Sequence, residues 1–265
     1  MTAGSDFDRS VVTLEVEGHV ATVAFNRPEV LNACNMAVFY RLIEIFDEIA
    51  DSPGIWCVIL KGNGRAFCVG ADQKERKTMS LDDIRRRRRI SPGVFAAMRT
   101  CVKPVIAQVH GHAIGGGLEM AMGCDIVLVA EDASLGLVEV LRGSIPAGGG
   151  TQMLPRMIGI QRAKELIFTG RKFTGRDAAE WGLAAHAYPA DELDARVRAL
   201  AEEIVRAAPI SVQQAKKSIN MSMDLDLANG IQAEAALYER AMNTKDREIA
   251  LKAYHDKVPA IFEGR

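Results

Sequence analysis

The chain has 265 residues, of which 48% are hydrophobic and 25% charged, a composition typical of globular proteins that excludes a disordered, collagen-like or coiled-coil chain. Lys and Arg number 33 and Asp and Glu 34, so the formal net charge is -1. This balance excludes a general positive field that would collect nucleic acid or an anionic membrane, and any anion site must be local.

The start of the chain and its cysteines indicate a cellular compartment. The first ten residues, MTAGSDFDRS, contain no apolar run, and no later stretch approaches the roughly 18 apolar residues of a membrane helix. We therefore expect a cytoplasmic protein that does not enter a membrane. The five cysteines are widely spaced without a C-x-x-C pair, which favours reduced core thiols over a disulfide framework. Neither they nor the histidines have metal-site spacing, so we expect no metal.

Strand and helix patterns alternate through the first part of the chain. Residues 11–25 are rich in β-branched residues around a Glu-Gly-His interruption, which predicts a hairpin. Apolar residues recur at helical spacing over 36–50 and predict a helix. Short apolar runs predict buried strands at 55–60, 104–109 and 125–130. The order of these elements indicates a mixed α/β fold.

The last quarter of the chain is predicted to be helical. It is rich in Ala, Glu, Leu and Arg and shows no strand-like alternation. The predicted helices are 193–207, 211–220, 225–242 and 246–255. Their apolar stripes need a partner surface, so we expect this segment to pack on the core or on another subunit.

Two glycine-containing loops, 64–72 and 111–119, each follow a predicted strand. The second contains three consecutive glycines, 115–117, just before an apolar helix. Free N–H groups at such a helix start favour a partial negative charge, as on an oxyanion. The glycines fit neither the dinucleotide fingerprint nor the phosphate loop, which needs a Lys. The alternative is that they only make tight turns and close helix packing.

Two glutamates, Glu119 and Glu139, have mostly apolar or small neighbours in the sequence, and such segments ordinarily contain no carboxylates. A single glutamate of this kind is usually an exposed tip or a paired structural charge, but two of them beside a glycine-rich helix start favour catalysis. The helix start is expected to stabilise the charged form of Glu119, which suits a base. The apolar surroundings of Glu139 disfavour its charged form, which suits a proton donor.

Several separated motifs resemble the enoyl-CoA hydratase/isomerase (crotonase) superfamily in order and spacing, most of all its short-chain enoyl-CoA hydratases and 3-methylglutaconyl-CoA hydratases. The matching segments are NRPEVLNACN (26–35), GRAFCVGADQKER (64–76), KPVIAQVHGHAIGGGLEMAMGCDI (103–126), LGLVEVLRGSIPAGGGTQMLPRMIG (135–159) and AKELIFTGRKFTGRDAAEWGL (163–183). The resemblance implies an α/β spiral core of ββα repeats over residues 1–200. It also implies a C-terminal helical segment, 201–265, that assembles the chain into a homotrimer or a dimer of trimers.

The activity implied by this resemblance is the reversible addition of water to the 2,3 double bond of a 2-enoyl-CoA thioester. The thioester oxygen is expected between the backbone N–H groups of Ala71 and Gly116. Glu119 would activate the water at the β carbon, and Glu139 would supply the α proton. Alternatives on the same fold are an isomerase, a 3-hydroxyacyl-CoA dehydratase and a thioester hydrolase; the absence of a G-x-S-x-G elbow disfavours peptide hydrolysis.

Coenzyme A is expected only as part of the substrate, with no separate cofactor. The resemblance assigns substrate contacts to Val30, Leu31, Gly70, Asp72, Lys74, Gly115, Ala147, Tyr254 and Lys257. Lys74 and Lys257 suit phosphate groups, although each also fits an ordinary surface lysine. Ala147 stands where many hydratases have Gly, so its methyl group is expected to reshape the acyl pocket.

Five consecutive arginines, Arg85–Arg89, follow Ser80, Asp82 and Asp83, which predict a helix cap and an acidic first turn. Helical residues are about 100° apart, so the arginines encircle the helix and at most one or two can face a shared ligand. A solvated or intersubunit salt-bridge helix is the favoured interpretation. The alternatives are a contact to the coenzyme 3′-phosphate and a polyanion-binding patch, and the balanced net charge disfavours RNA binding.

Overall fold

The structure is a computed structural model that describes residues 7–265; the first six residues of the N-terminal segment used above lie outside the described part. The strands are β1 (Val12–Glu17), β2 (Val20–Phe25), β3 (Cys57–Gly62), β4 (Val105–Val109), β5 (His112–Ile114), β6 (Ile126–Ala130), β7 (Ser134–Gly136), β8 (Phe173–Thr174) and β9 (His186–Tyr188). The helices are α1 (Met36–Asp51), α2 (Gln73–Thr78), α3 (Leu81–Thr100), α4 (Gly116–Met122), α5 (Gly150–Ile158), α6 (Ile160–Thr169), α7 (Gly175–Glu180), α8 (Leu193–Val205), α9 (Pro209–Met221), α10 (Leu227–Met242) and α11 (Lys245–Asp256).

The larger sheet has six strands in the order β1-β2-β3-β4-β6-β9. The predicted hairpin is confirmed, because β1 and β2 pair antiparallel from Val12 opposite Phe25 to Glu17 opposite Val20. Every other pair in this sheet is parallel. Strands β3, β4 and β6 are almost entirely buried, as expected for parallel strands covered on both faces.

A smaller sheet has three strands in the order β5-β7-β8. The loop after β3 joins its edge through a parallel bridge between Cys68 and Ala113. Successive chain segments therefore add one strand to the large sheet and one short strand to the small sheet, as in β4-β5-α4. This is the repeat that the resemblance implied, and it brings the loops after β3 and β5 side by side.

Helix caps and apolar spacing account for the two helices that border the site. Asn35 accepts a hydrogen bond from Val38 N at the start of α1, whose buried residues follow a helical period. Ser80 and Asp83 form a capping box at the start of α3, which confirms the predicted cap of the arginine-rich helix. α1 and α3 pack against each other.

The helical end of the chain is present as predicted. α8 packs on the large sheet through Leu193, Val197 and Ala201, so residue 200 falls inside a core helix. α9 and α10 pack together, and α9–α11 expose several large apolar side chains. Among these are Ile219, Leu227, Ile231, Tyr238, Leu251 and Tyr254. All five cysteines are buried and free, as expected.

Candidate active site

A cavity of about 200 Å³ opens between the two glycine loops and helix α3. Its walls include residues 69–71 from the first loop and 114–116 from the second. Another part of the wall is built from the segment after β7, which contributes Val138, Glu139, Ser144, Ile145, Ala147 and Gly148. The ββα repeat therefore collects into one cavity the loops singled out in the sequence.

Two backbone N–H groups, those of Ala71 and Gly116, border this cavity without an acceptor among residues 7–265. The first loop is held in place on both sides of Ala71. Cys34 N donates to Gly70 O (2.7 Å) and Asp72 N donates to Cys34 O (3.0 Å). Gly116 is the first residue of α4, where an N–H has no partner within the helix. Free donors at both loops can bind one oxygen that carries negative charge.

Glycine is required where the two loops approach each other. Gly70 has φ +79°, and a Cβ there would lie 2.7 Å from Ile114 O and 3.0 Å from Gly116 N. A Cβ at Gly117 would lie 2.0 Å from Cys68 O. The close-packing interpretation of the glycines is therefore correct for the turn and the helix, and this packing is also what brings the two free N–H groups to one cavity.

Glu119 is 3% exposed on α4. Its Oε1 accepts hydrogen bonds from Gly148 N (2.7 Å) and Gly150 N (2.8 Å), at the start of α5. Burial raises its pKa to about 6, the two N–H groups lower the pKa, and the charge of Glu139 raises it. The expectation that a helix start would keep Glu119 readily ionised is therefore wrong in its net direction. The backbone donors come from α5 rather than from its own helix, and burial outweighs them.

Glu139 begins a 3₁₀ turn, Glu139–Arg142, and is half-buried at the cavity. Its Oε2 is buried and has no hydrogen-bond partner in the described part of the chain. Burial raises its pKa, while the positive charges of Arg142 and Arg76 lower it. The raised pKa agrees with the direction predicted from its apolar neighbours.

Most of the residues predicted for the reacting end of the substrate gather at this cavity. A Cβ at Gly115 would lie 2.8 Å from Glu139 Oε1, so this carboxylate lies directly against the loop that carries the free N–H of Gly116. The predicted residues that line the cavity are Gly70, Ala71, Gly115, Gly116, Glu119, Glu139 and Ala147.

The residues predicted for the coenzyme do not line the cavity of this single chain. Val30 and Leu31 form a turn whose Leu31 O accepts a hydrogen bond from Val69 N. Asp72 caps α2 and pairs with Arg27 Nη1 at 2.9 Å, while Lys74 is exposed in the first turn of α2. Tyr254 and Lys257, at the end of α11, are exposed. Their roles remain predictions.

Sequence analysis did not identify the donors to Glu119. The signal was the triplet Gly148–Gly150 at the start of α5, which repeats the glycine pattern used to identify the start of α4. The aromatic wall of the cavity was not predicted either. In this wall, Phe95 of α3 lies near Phe39 of α1, with ring centroids 6.4 Å apart. Aromatic residues on two separate helices give no local sign that they meet.

The five arginines of the run lie in two different environments on α3. Arg85, Arg86, Arg88 and Arg89 are exposed, whereas Arg87 is buried and lines the cavity. Arg85 pairs with Asp82 at 3.0 Å, which agrees with the interpretation of a solvated salt-bridge helix for the exposed members. Arg87 is the exception.

Comparisons with known proteins identify the family. The sequence profile described as "Enoyl-CoA hydratase/isomerase" matches residues 15–265. YngF of Bacillus subtilis, named as a candidate enoyl-CoA hydratase/isomerase, is 41% identical and aligns over 93% of this chain and 95% of its own. A short-chain-enoyl-CoA hydratase of Clostridium acetobutylicum is 36% identical over 93% of this chain and 95% of its own.

A structural comparison agrees with these matches. The crystal structure of an enoyl-CoA hydratase from Bacillus anthracis superposes with a TM-score of 0.93 at 37% identity. The superposition covers 96% of this chain and all of that chain. Over residues 7–265, no helix combines the length and apolar composition needed to cross a bilayer. The chain has the α/β crotonase fold and belongs to the enoyl-CoA hydratase/isomerase family.

Proposed function

We propose that this protein is an enoyl-CoA hydratase, which adds water reversibly and syn across the 2,3 double bond of a 2-enoyl-CoA thioester. The observation that carries the proposal is that the buried Glu119, the half-buried Glu139 and two backbone N–H groups without an acceptor among residues 7–265 meet at one cavity. The named relatives support an acyl-CoA substrate. A second carboxylate favours hydration over isomerisation, because water addition needs one group to take a proton from water and another to protonate carbon.

The two N–H groups, from Ala71 and Gly116, bind the thioester carbonyl oxygen in this proposal. Attack at the β carbon moves negative charge onto that oxygen and gives an enolate-like state. Fixed donors in a site that excludes water stabilise this charge without reorganisation, and loss of one such donor typically lowers the rate about 100- to 1,000-fold.

The two glutamates divide the transfer of protons. Glu119, with a pKa of about 6, is ionised at neutral pH and takes a proton from the water whose oxygen bonds to the β carbon. Glu139, whose pKa burial raises, donates a proton to the α carbon. One water molecule is consumed, one C–O and one C–H bond form, and a solvent proton exchange restores both carboxyl groups.

The bulk of coenzyme A lies outside the cavity in this proposal, because about 200 Å³ holds an acyl group but not a nucleotide. We assign its contacts to Val30, Leu31, Asp72, Lys74, Tyr254 and Lys257, and no separate cofactor takes part. The exposed apolar side chains of α9–α11 support assembly into a homotrimer or a dimer of trimers, which would bring Tyr254 and Lys257 to a neighbouring site. We place the protein in the cytoplasm.

The proposal is tested by following the loss of the conjugated-thioester absorbance of crotonyl-CoA. We expect Glu119→Gln and Glu139→Gln each to lower kcat/KM at least about 100-fold, with unchanged folding by circular dichroism. Glu180→Gln, an exposed change on α7, is the matched control and should act like wild type. Full activity of either site variant would contradict the two-carboxylate mechanism.

A further inference from the structure

Arg87 is 8% exposed, although it lies in the middle of the arginine run. It shares one face of α3 with Ser91 and Phe95, at intervals of four residues, and all three line the cavity. Val94 and Met98 bury the adjoining face. The phase of α3 therefore turns this one arginine toward the cavity and leaves its neighbours at the surface.

The guanidinium group of Arg87 contacts an aromatic ring and a carboxylate, but it donates no hydrogen bond to a described residue. Its Cζ lies 4.4 Å from the centre of the Phe39 ring, and Nη1 lies 3.6 Å from Glu75 Oε2, an ion pair without a hydrogen bond. Glu75 uses its other oxygen to accept from Met36 N at 2.9 Å. No hydrogen bond from the Arg87 side chain to another described residue is formed, although a guanidinium carries five N–H donors. Burying such a charged group without acceptors is unfavourable, so a purely structural role accounts poorly for it.

The position of Arg87 indicates the end of the substrate that it faces. Phe95 lies close to Gly116, since a Cβ on that glycine would be 3.5 Å from the Phe95 ring. Arg87 precedes Phe95 by eight residues of α3, which is about 12 Å along the helix axis. Under the proposed function, the charged nucleotide of coenzyme A lies outside the cavity, whereas Arg87 is buried and packs against Phe39 of α1. With the thioester oxygen at Gly116, this would place Arg87 toward the end of the acyl group that is farthest from coenzyme A.

The guanidinium groups that line the cavity favour the binding of an anion. Arg76 and Arg142 also line the cavity, and a guanidinium binds a carboxylate in a planar, bidentate geometry. We propose that Arg87 is a specificity-determining residue that binds a carboxylate at the far end of the acyl group. The preferred substrates are then CoA monothioesters of 2-unsaturated dicarboxylic acids. This inference rests on the proposed hydratase function and adds its substrate class.

Matched pairs of thioesters test the inference. Glutaconyl-CoA is compared with 2-pentenoyl-CoA, and the CoA monothioesters of 2-hexenedioic and 2-octenedioic acid with 2-hexenoyl-CoA and 2-octenoyl-CoA. We expect wild type to have a kcat/KM about 10- to 100-fold higher for the charged member of at least one pair. Arg87→Met should lose this preference without losing activity on the uncharged member. Arg88→Met, the same change on an exposed neighbour, should keep it.

Further variants separate recognition from a structural role. Arg87→Lys should keep part of the preference, and Glu75→Gln, which removes the competing carboxylate, should lower KM for the charged substrate only. Equal losses on both members of every pair in Arg87→Met, or a wild-type preference for the uncharged member of every pair, would overturn the inference while leaving the hydratase function intact. Failure of wild type to hydrate any thioester would instead reject the proposed function.

Discussion

At the scale of single residues, the proposed chemistry depends on how the protein sets the charge of Glu119. Burial disfavours the carboxylate, and the N–H groups of Gly148 and Gly150 favour it. Burial has the larger effect, and the resulting pKa of about 6 lies close to neutral pH. A base is most effective when its pKa lies near the working pH, because it is then both ionised and sufficiently basic.

We predict that hydration requires the ionised form of Glu119. Below the pKa of about 6, kcat/KM for crotonyl-CoA should fall about tenfold for each unit of pH. Crotonyl-dephospho-CoA lacks the 3′-phosphate, which itself titrates near pH 6, and should give the same acidic limb. A rate that stays constant down to pH 5 would exclude Glu119 as the base.

We also predict that Glu119→Gln stabilises the folded protein at neutral pH. The pKa of Glu119 rises from 4.5 to about 6 on folding, so the folded state binds the proton more tightly and wild type loses stability as pH rises through this range. The free energy lost is about 2 kcal/mol. Urea unfolding of both proteins should show the advantage of the variant at pH 7.5 and little of it at pH 4.5. An advantage that does not grow with pH would contradict the raised pKa.

At the scale of elements, the start of α4 performs two tasks with neighbouring glycines. Gly117 lets the helix pack on the loop at Cys68, since an added Cβ would lie 2.0 Å from Cys68 O. Gly116 faces the cavity, where an added Cβ would meet only the Phe95 ring at 3.5 Å and Gly70 Cα at 3.8 Å. Two adjacent glycines thus have different roles: Gly117 allows the helix to pack, and Gly116 leaves room for the substrate.

Substitutions at these two glycines should therefore differ in kind. Gly117→Ala should lower the free energy of unfolding by at least about 1–3 kcal/mol, because the added methyl group would collide with the backbone of Cys68, which cannot shift without disturbing the loop. Gly116→Ala should melt close to wild type, whereas Gly116→Val should fold but lose activity because its side chain enters the cavity. Thermal melts and crotonyl-CoA rates measure both effects. Similar destabilisation by the two alanine variants would contradict this assignment.

The elements also show which parts of the fold the sequence can predict. Hairpin β1–β2, helix α1 and the capped start of α3 carry local signals of alternation, period and capping, and each was predicted. Strands β5, β7 and β8 have two or three residues, too few for a period to be recognised. Sequence reasoning did not distinguish Arg87 from the four other arginines of the run. The apolar spacing of α3 could have done so, because Arg87 lies two helical turns before Val94 and so on nearly the same helix face as Val94 and Met98.

At the scale of the whole molecule, the site is built by contacts between distant parts of the chain. Glu119 and Glu139 were identified as a pair because each is a carboxylate whose neighbours in the sequence are mostly apolar or small. Their surroundings could not be predicted, because the Gly148 and Gly150 donors lie about thirty residues after Glu119 and only tertiary packing brings them together. The pKa of Glu119 was mispredicted for this reason, since local sequence cannot give the extent of burial.

The chain belongs to a family of hydratases and isomerases, so an experiment must distinguish between these reactions. The most direct test is to incubate crotonyl-CoA with wild type in water labelled with ¹⁸O and to analyse the products by mass spectrometry. Hydration predicts one ¹⁸O at the β carbon of a 3-hydroxybutyryl-CoA product. Label in a free carboxylic acid would indicate thioester hydrolysis. A shifted double bond without label, or no reaction with any member of the thioester series above, would contradict the account.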